Sequence, residues 1–258
     1  MISLVRRSIE SLRLALGCLT IVPVGPREAV RDRAFGASWV WFPLVGCGIG
    51  AILLAVYTVL WRWATPMVAA IGVLVTWVAV TGALHLDGLA DVCDGWYGGR
   101  TPQERLRIMK DPHIGAMAAI GISLHLLVKF VALAHLPSAH AAVLLLLAPA
   151  LGRYAMALLG STLPYARAEG GVGAAFVRQA GRRSLIGATL MMLGLSLVIG
   201  SIIGVALLGL TLAVGLILRA VFRRTLGGIT GDALGAAGEL TEVALLIGGG
   251  SLVAVLHA

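Results

Sequence analysis

Long runs without a charged residue recur along this chain, and they restrict its fold more than any motif does. A helix of about 20 apolar residues crosses the hydrocarbon core of a bilayer. The stretches 35–60, 66–86, 114–136 (broken only by Lys129), 139–160 (with Arg153 toward its end) and 239–256 all suit such a crossing. Only 12% of the 258 residues are charged and 59% are hydrophobic, whereas a soluble domain carries about a quarter charged residues. A soluble globular enzyme, a disordered chain and a secreted disulfide scaffold are therefore excluded. An all-α polytopic membrane bundle is expected, built as one domain over 1–258. No internal repeat, low-complexity tract or linker divides it.

The run 184–218 admits two readings. As one straight helix its 35 residues would measure about 52 Å, against a core of about 30 Å. As a pair, it would turn near Gly200-Ser201 or Gly204. Charge placement decides between them, because Lys and Arg concentrate in cytoplasmic loops. The head (Arg6, Arg7, Arg13, Arg27, Arg31, Arg33), loop 87–113 (Arg100, Arg105, Arg107, Lys110) and loop 161–183 (Arg167, Arg178, Arg182, Arg183) are all basic. A helix pair adds Arg219, Arg223 and Arg224 to the same side and leaves only Arg62 outside. About seven transmembrane helices follow, with cytoplasmic loops carrying the chemistry.

In the head, Leu4, Val5, Ile9, Leu12 and Leu16 recur at helical spacing opposite Arg6, Glu10 and Arg13. That pattern predicts a helix lying in the membrane interface and not a cleaved signal. The net charge of +8, from 20 basic and 12 acidic residues, is read as topology. Nucleic acid is not an expected partner, since no soluble fold with a basic stripe and stacking aromatics is present. Cys18, Cys47 and Cys93 lie too far apart in sequence for a C-x-x-C motif and are read as packing residues. Trp39, Trp41, Tyr57, Trp61 and Trp63 are read as an interfacial aromatic belt. His135, His140 and His257 sit at span ends and are given no specific role.

Five of the 12 acidic residues fall between 87 and 111. Asp87, Asp91 and Asp94 are spaced i, i+4, i+7, which puts three carboxylates on one helical face. Like charges that close repel unless a cation sits among them. Mg²⁺ suits the position, since it takes one or two carboxylates plus substrate phosphates and water. Acid at the mouth of a span in so acid-poor a chain is a functional signal. Beyond Gly98-Gly99, the string Thr101-Pro102-Gln103-Glu104 is a capping box that starts a helix from Pro102 to about Lys110. Leu106, Ile108 and Met109 would pack it down, and Arg105, Arg107 and Lys110 would face the acidic helix. Carboxylates, a metal and cations around one cleft are the parts phosphoryl transfer uses.

Near the C-terminus, Gly227-Gly228-Ile229-Thr230-Gly231-Asp232 leads into a helix. It lacks the Gly-Lys-Ser/Thr of a P-loop, but its glycines allow backbone to approach an anion at the helix start. Asp232, Glu239 and Glu242 follow on one side of that helix. His125 and Lys129 share a face within the third span. Lys129 is read either as lining a polar cavity or as snorkelling outward.

The string His85-Leu86-Asp87-Gly88-Leu89-Ala90-Asp91-Val92-Cys93-Asp94-Gly95 resembles the cobalamin synthase, or adenosylcobinamide-GDP ribazoletransferase, family. So do its continuation through Gly98-Gly99 and Arg105–Asp111 to Ile114-Gly115, and Gly227–Gly235. Phe42–Gly46, Gly152-Arg153 and Tyr165–Gly170 add to the likeness, which covers nearly the whole chain in order. Members of that family often read Asp-Ser-Arg-Ile-Gly where this chain has Asp111-Pro112-His113-Ile114-Gly115, so an arginine contact to an anion there is not carried over.

The resemblance implies a multi-pass enzyme of the bacterial inner membrane with its active site facing the cytoplasm. It would be a Mg²⁺-dependent phosphotransferase that joins α-ribazole, or its 5′-phosphate, to adenosylcobinamide-GDP, releasing GMP. The matched positions give Asp94, Asp87 and His85 as catalytic candidates. Arg100, Arg105, Lys110, Arg153, Arg167, Thr230 and Gly231 are the substrate-binding candidates. Asp87, Asp91, Asp94, Asp111 and Asp232 are the candidate metal ligands, with Asp94 open to a role as general base instead. The expected partners are these two small-molecule substrates and the lipid bilayer, and a homo-oligomer is compatible with the sequence. Two rivals stand beside this reading. A CDP-alcohol phosphotransferase would need an arginine after the first Asp-Gly, where this chain has Ala90-Asp91. A cation transporter would place its acids near the midplane of two repeated halves.

Overall fold

A computed structural model describes residues 2–24 and 32–256; Arg27, Arg31 and His257 lie outside them. The described chain is a helical bundle: α1 (Ile2–Leu19), α2 (Asp32–Ser38), a 3₁₀ turn (Trp39–Trp41), α3 (Phe42–Trp61), α4 (Pro66–Thr81), α5 (Leu84–Gly98), α6 (Pro102–Ile108), α7 (Ala116–Ala134), α8 (Ala141–Thr162), α9 (Val172–Gln179), α10 (Arg182–Thr225) and α11 (Gly231–Leu256). Among the described residues, four helical segments are long and apolar enough to cross a membrane: Ala34–Trp61, Ala116–Ala134, Ser138–Thr162 and Arg182–Thr225. A fifth is added if α4 and α5, bent by 89° from one another, make one broken span.

The 44-residue α10 is two arms and not one rod. Ser201 takes φ 48°, ψ −129° inside it, and a Cβ on Gly204 would collide with the carbonyl oxygen of Ser196. Contacts with α8 show the reversal. Thr189 meets Tyr154 through hydroxyls 3.0 Å apart, and Gly200 packs on Leu147 and Val143. Gly215, beyond the turn, is back beside Leu158. The first arm therefore runs against α8 and the second runs along it. Arg182 and Arg183 return to the same end of the bundle as Arg223 and Arg224, as the helix-pair reading expects. Arg105 Nη1 donates to the Thr225 carbonyl at 3.1 Å, which puts the α5–α6 turn at that end too. In a cysteine-free background, Glu104→Cys and Arg224→Cys, both at exposed positions, should react with an impermeant thiol reagent from one and the same side. Labelling from opposite sides would contradict the hairpin.

Burial is greatest in α8. Leu144, Leu145, Leu147, Ala150, Leu151, Ala155 and Leu159 are fully enclosed, as expected of a helix that is apolar on nearly every face, with Arg153 the charged exception. The expected span 66–86 is cut short. Gly82 (φ 61°) and Ala83 (φ 58°) are consecutive left-handed residues that end α4, so the acidic motif forms a separate helix. The capping box forms as read: Thr101 Oγ1 accepts from the Glu104 amide, and Glu104 accepts from the Thr101 amide. The aromatic belt is partly corrected. Trp61 and Trp63 are exposed, but Trp39 is buried against Phe42 and Phe176 and donates to the Phe176 carbonyl at 3.0 Å. An indole with a buried partner for its N–H belongs in the core. The three cysteines are free and packed against the apolar core.

Candidate active site

Two helix beginnings meet at the loop end of the bundle. Gly88 of α5 lies so close to α11 that a Cβ there would sit 2.6 Å from the Asp232 carbonyl oxygen. One turn deeper, a Cβ on Gly235 would sit 3.0 Å from Cα of His85. Small residues on both helices thus permit near backbone contact, and this brings Asp232 to the face carrying Asp87, Asp91 and Asp94. Burial, then the neighbouring charges of Asp232 and Asp87, push the Asp91 carboxyl above its ordinary range, and the Arg167 guanidinium acts against them. Asp87 is exposed, whereas Asp91, Asp94 and Asp232 are half-buried.

Asp232 is held from the side by the 161–171 loop. Arg167 donates to Asp232 Oδ2 at 2.8 Å and to the Met109 carbonyl at 3.4 Å, while its Nε is buried with no partner among the described residues. The loop is strapped to the glycine turn: Ile229 N donates to Pro164 O and Ala166 N to Ile229 O, each at 2.9 Å. Thr230 is buried, and its hydroxyl accepts from the Ala233 amide at 3.1 Å, as a helix cap does. Of the amides expected to face a pyrophosphate, that of Ile229 is therefore committed elsewhere. Gly173 packs against Gly231, and Arg178 stands 6.0 Å from the ring of Tyr165.

Other expected residues are placed differently. Asp94 Oδ2 accepts from Gly115 N at 2.6 Å and its Oδ1 from Ala118 N at 2.8 Å. It caps α7, whose own N-cap is a glycine with no side chain to serve. Asp94→Ala should accordingly lower stability by about 1–2 kcal/mol, read as a fall in the unfolding midpoint in detergent. A midpoint equal to wild type would show the cap to be dispensable. Asp111 is exposed and pairs with His113, whose amide holds the Asp111 carboxyl below the ordinary range. Lys110 pairs with Glu169, and that hydrogen bond holds the Glu169 carboxyl down likewise. Arg105 ties Gly99 to Thr225. Arg100 is exposed, its amide donating to Glu104.

Arg153 and His85 lie inside the bundle, each at most 3% exposed. Arg153 pairs with Glu242, and its other terminal nitrogen stands 3.2 Å from His85 Nδ1. Lys129 does not snorkel outward. It bonds Glu239 at 2.8 Å and Glu242 at 2.5 Å, with its Nζ 3.9 Å from the centre of the Trp77 ring. His125 Nε2 completes the cluster 2.8 Å from Glu239. The sequence carried a signal for this: a histidine and a lysine at i, i+4 in one span and two acids at i, i+3 in another must satisfy each other once buried.

Hard carboxylate oxygens are the donors Mg²⁺ takes. Among the described residues, no three His, Cys, Asp or Glu side chains form a ready cage for a metal ion. The aspartates fit the mode in which one or two carboxylates hold the ion and substrate phosphates complete its shell.

Residues 11–249 match the model of the cobalamin-5-phosphate synthase family. The chain belongs to this family. It is 44% identical to the adenosylcobinamide-GDP ribazoletransferase of Pseudomonas paraeruginosa over 94% of this chain and 98% of that one. It is 40% identical to the protein of the same name from Chlorobium chlorochromatii, over 93% and 95% of the two chains. For that of Desulforamulus reducens the figures are 38% identity over 90% and 93%. No solved structure matches.

Proposed function

We propose that this membrane enzyme joins α-ribazole, or its 5′-phosphate, to adenosylcobinamide-GDP, with release of GMP. The ribazole-side hydroxyl oxygen bonds to the phosphorus on the cobinamide side of the pyrophosphate. The bond from that phosphorus to the bridging oxygen breaks, and GMP leaves with the electron pair. The observation that carries this reading is the meeting of Asp87, Asp91 and Asp232 with Arg167 at the loop end, in a chain of this family.

Each residue has a part in that step. Arg167, fixed by Asp232 and Met109, presents positive charge to the pyrophosphate. Each Asp94 oxygen accepts one amide of α7 and keeps a further lone pair, so Asp94, Asp87 and Asp91 are the candidate acceptors of the hydroxyl proton. One or two carboxylates from among Asp87, Asp91 and Asp232 would hold Mg²⁺, which would supply neutralisation of charge on the phosphates. Lys110 and Arg100, exposed at the rim, would steer anionic substrates toward the cleft.

Four basic segments gathered at one end support a cytoplasmic position for the site, and the inner membrane of a bacterium is where such a span pattern would lie. On the seven-span reading the crossings would be α3, α4, α7, α8, the two arms of α10, and α11, of which the α3, α7, α8 and α10 segments are long and apolar enough by themselves. The purified protein in lipid should release GMP only when adenosylcobinamide-GDP, α-ribazole or its phosphate, and Mg²⁺ are all present. GMP release without the ribazole, or full activity in chelator, would contradict the assignment.

A further inference from the structure

We infer that the buried ion cluster linking α5, α7, α8 and α11 positions the aspartates of the site, with Arg153 and Glu242 at its centre. The inference rests on the assignment of Asp87, Asp91 and Asp232 to the reacting site. Asp232, Gly235, Glu239 and Glu242 fall at i, i+3, i+7 and i+10, so they form one stripe along α11. The outer end of the stripe carries the site carboxylate, and its inner end carries the two acids of the cluster. Rotation of α11 that moves Glu242 away from Arg153 also moves Asp232 away from α5.

The partner helix is tied in the same way. His85 is two residues from Asp87, and its Nδ1 faces an arginine nitrogen. A guanidinium has only donors, so Nδ1 accepts and the ring proton lies on Nε2, which is buried without a partner among the described residues. Arg153 thus grips both helices at once, α5 through His85 and α11 through Glu242. Lys129 and His125 fix Glu239 and Glu242 from the side of α7, whose first turn is capped by Asp94. Two basic side chains, Lys129 and Arg153, are paired with two acids, Glu239 and Glu242, so every buried acid has a basic partner. Such a cluster of short ion pairs fixes rotation and depth far more narrowly than apolar contacts, which tolerate sliding. With each of these side chains at most 8% exposed, none is placed to touch a substrate at the loop end.

Arg153→Lys keeps the charge but cannot reach both His85 and Glu242, and Glu242→Gln keeps the shape but not the charge. Each should lower kcat by about 10–100-fold while KM for adenosylcobinamide-GDP moves less than about threefold. In substrate-free protein, amide hydrogen exchange should quicken over 84–90 and 231–236 in both variants. The double variant should lose little more than the worse single one. Asp87→Asn is the control for the underlying site. If Asp87→Asn is inactive while both cluster variants keep wild-type kcat and exchange, the positioning role is wrong and the site stands. A raised KM with unchanged kcat and exchange in Arg153→Lys would instead make Arg153 a substrate contact and overturn the inference. An active Asp87→Asn overturns the site assignment and the inference with it. If Glu242→Gln fails to accumulate, the charge-conserving Arg153→Lys decides by the same two readouts.

Discussion

Asp87→Asn and Asp91→Asn are each expected to lower kcat by at least about 10³-fold while the protein still inserts and folds. Asparagine keeps the shape of the side chain and removes the charge on which the acidic face depends. Among the described residues neither carboxylate has a hydrogen bond that holds the fold together as Asp94 does, so stability should stay within about 0.5 kcal/mol of wild type. Parallel measurement of turnover at saturating substrates and of the thermal midpoint separates the two effects. Wild-type turnover in either variant at ordinary Mg²⁺ would remove that residue from the site.

The largest effect on stability is expected inside the bundle. Glu242→Leu deletes the anion shared by Arg153 and Lys129, leaving two buried cations against Glu239 alone. Loss of one partner from a buried ion pair costs about 3–5 kcal/mol, because the remaining charge is desolvated without compensation. Reversible unfolding in mixed micelles should show this loss. Adding Arg153→Met, which restores one basic side chain per acid, should recover part of it. A loss below about 1 kcal/mol in Glu242→Leu would mean that water or lipid headgroups reach the cluster.

Local signals in the sequence located much of this architecture. The uncharged runs marked the membrane helices, and Thr101-Pro102-Gln103-Glu104 marked the start of α6. Length and basic flanks located the turn of α10 near Ser201. The juxtaposition of the Gly227–Asp232 turn with the α5 face followed from putting both at the same end of the bundle. What was not legible depends on partners far apart in sequence. The 89° break before α5 rests on left-handed backbone at Gly82 and Ala83, and alanine gives no warning of it. That Asp94 also caps α7 is not legible until Gly115 is seen to be an N-cap with no side chain of its own. Trp39 reads as interfacial until Phe176, 137 residues later, is found to accept its N–H. Arg153, a substrate-binding candidate by resemblance, shows its acidic partner only once α11 delivers Glu242 to it.

The central claim is that Asp87 and Asp232, on different helices, serve one divalent-cation site, and a double-mutant cycle on cation binding tests it most directly. Mn²⁺ binding, followed by electron paramagnetic resonance in the presence of adenosylcobinamide-GDP, would be measured for wild type, Asp87→Asn, Asp232→Ala and the double variant. The account predicts that each single change weakens binding and that the double change weakens it by clearly less than the two together. A coupling of at least about 0.5 kcal/mol would mark one shared site. Strict additivity, or Mn²⁺ affinity untouched by Asp232→Ala, would contradict it and leave the glycine-rich turn as no more than the start of α11.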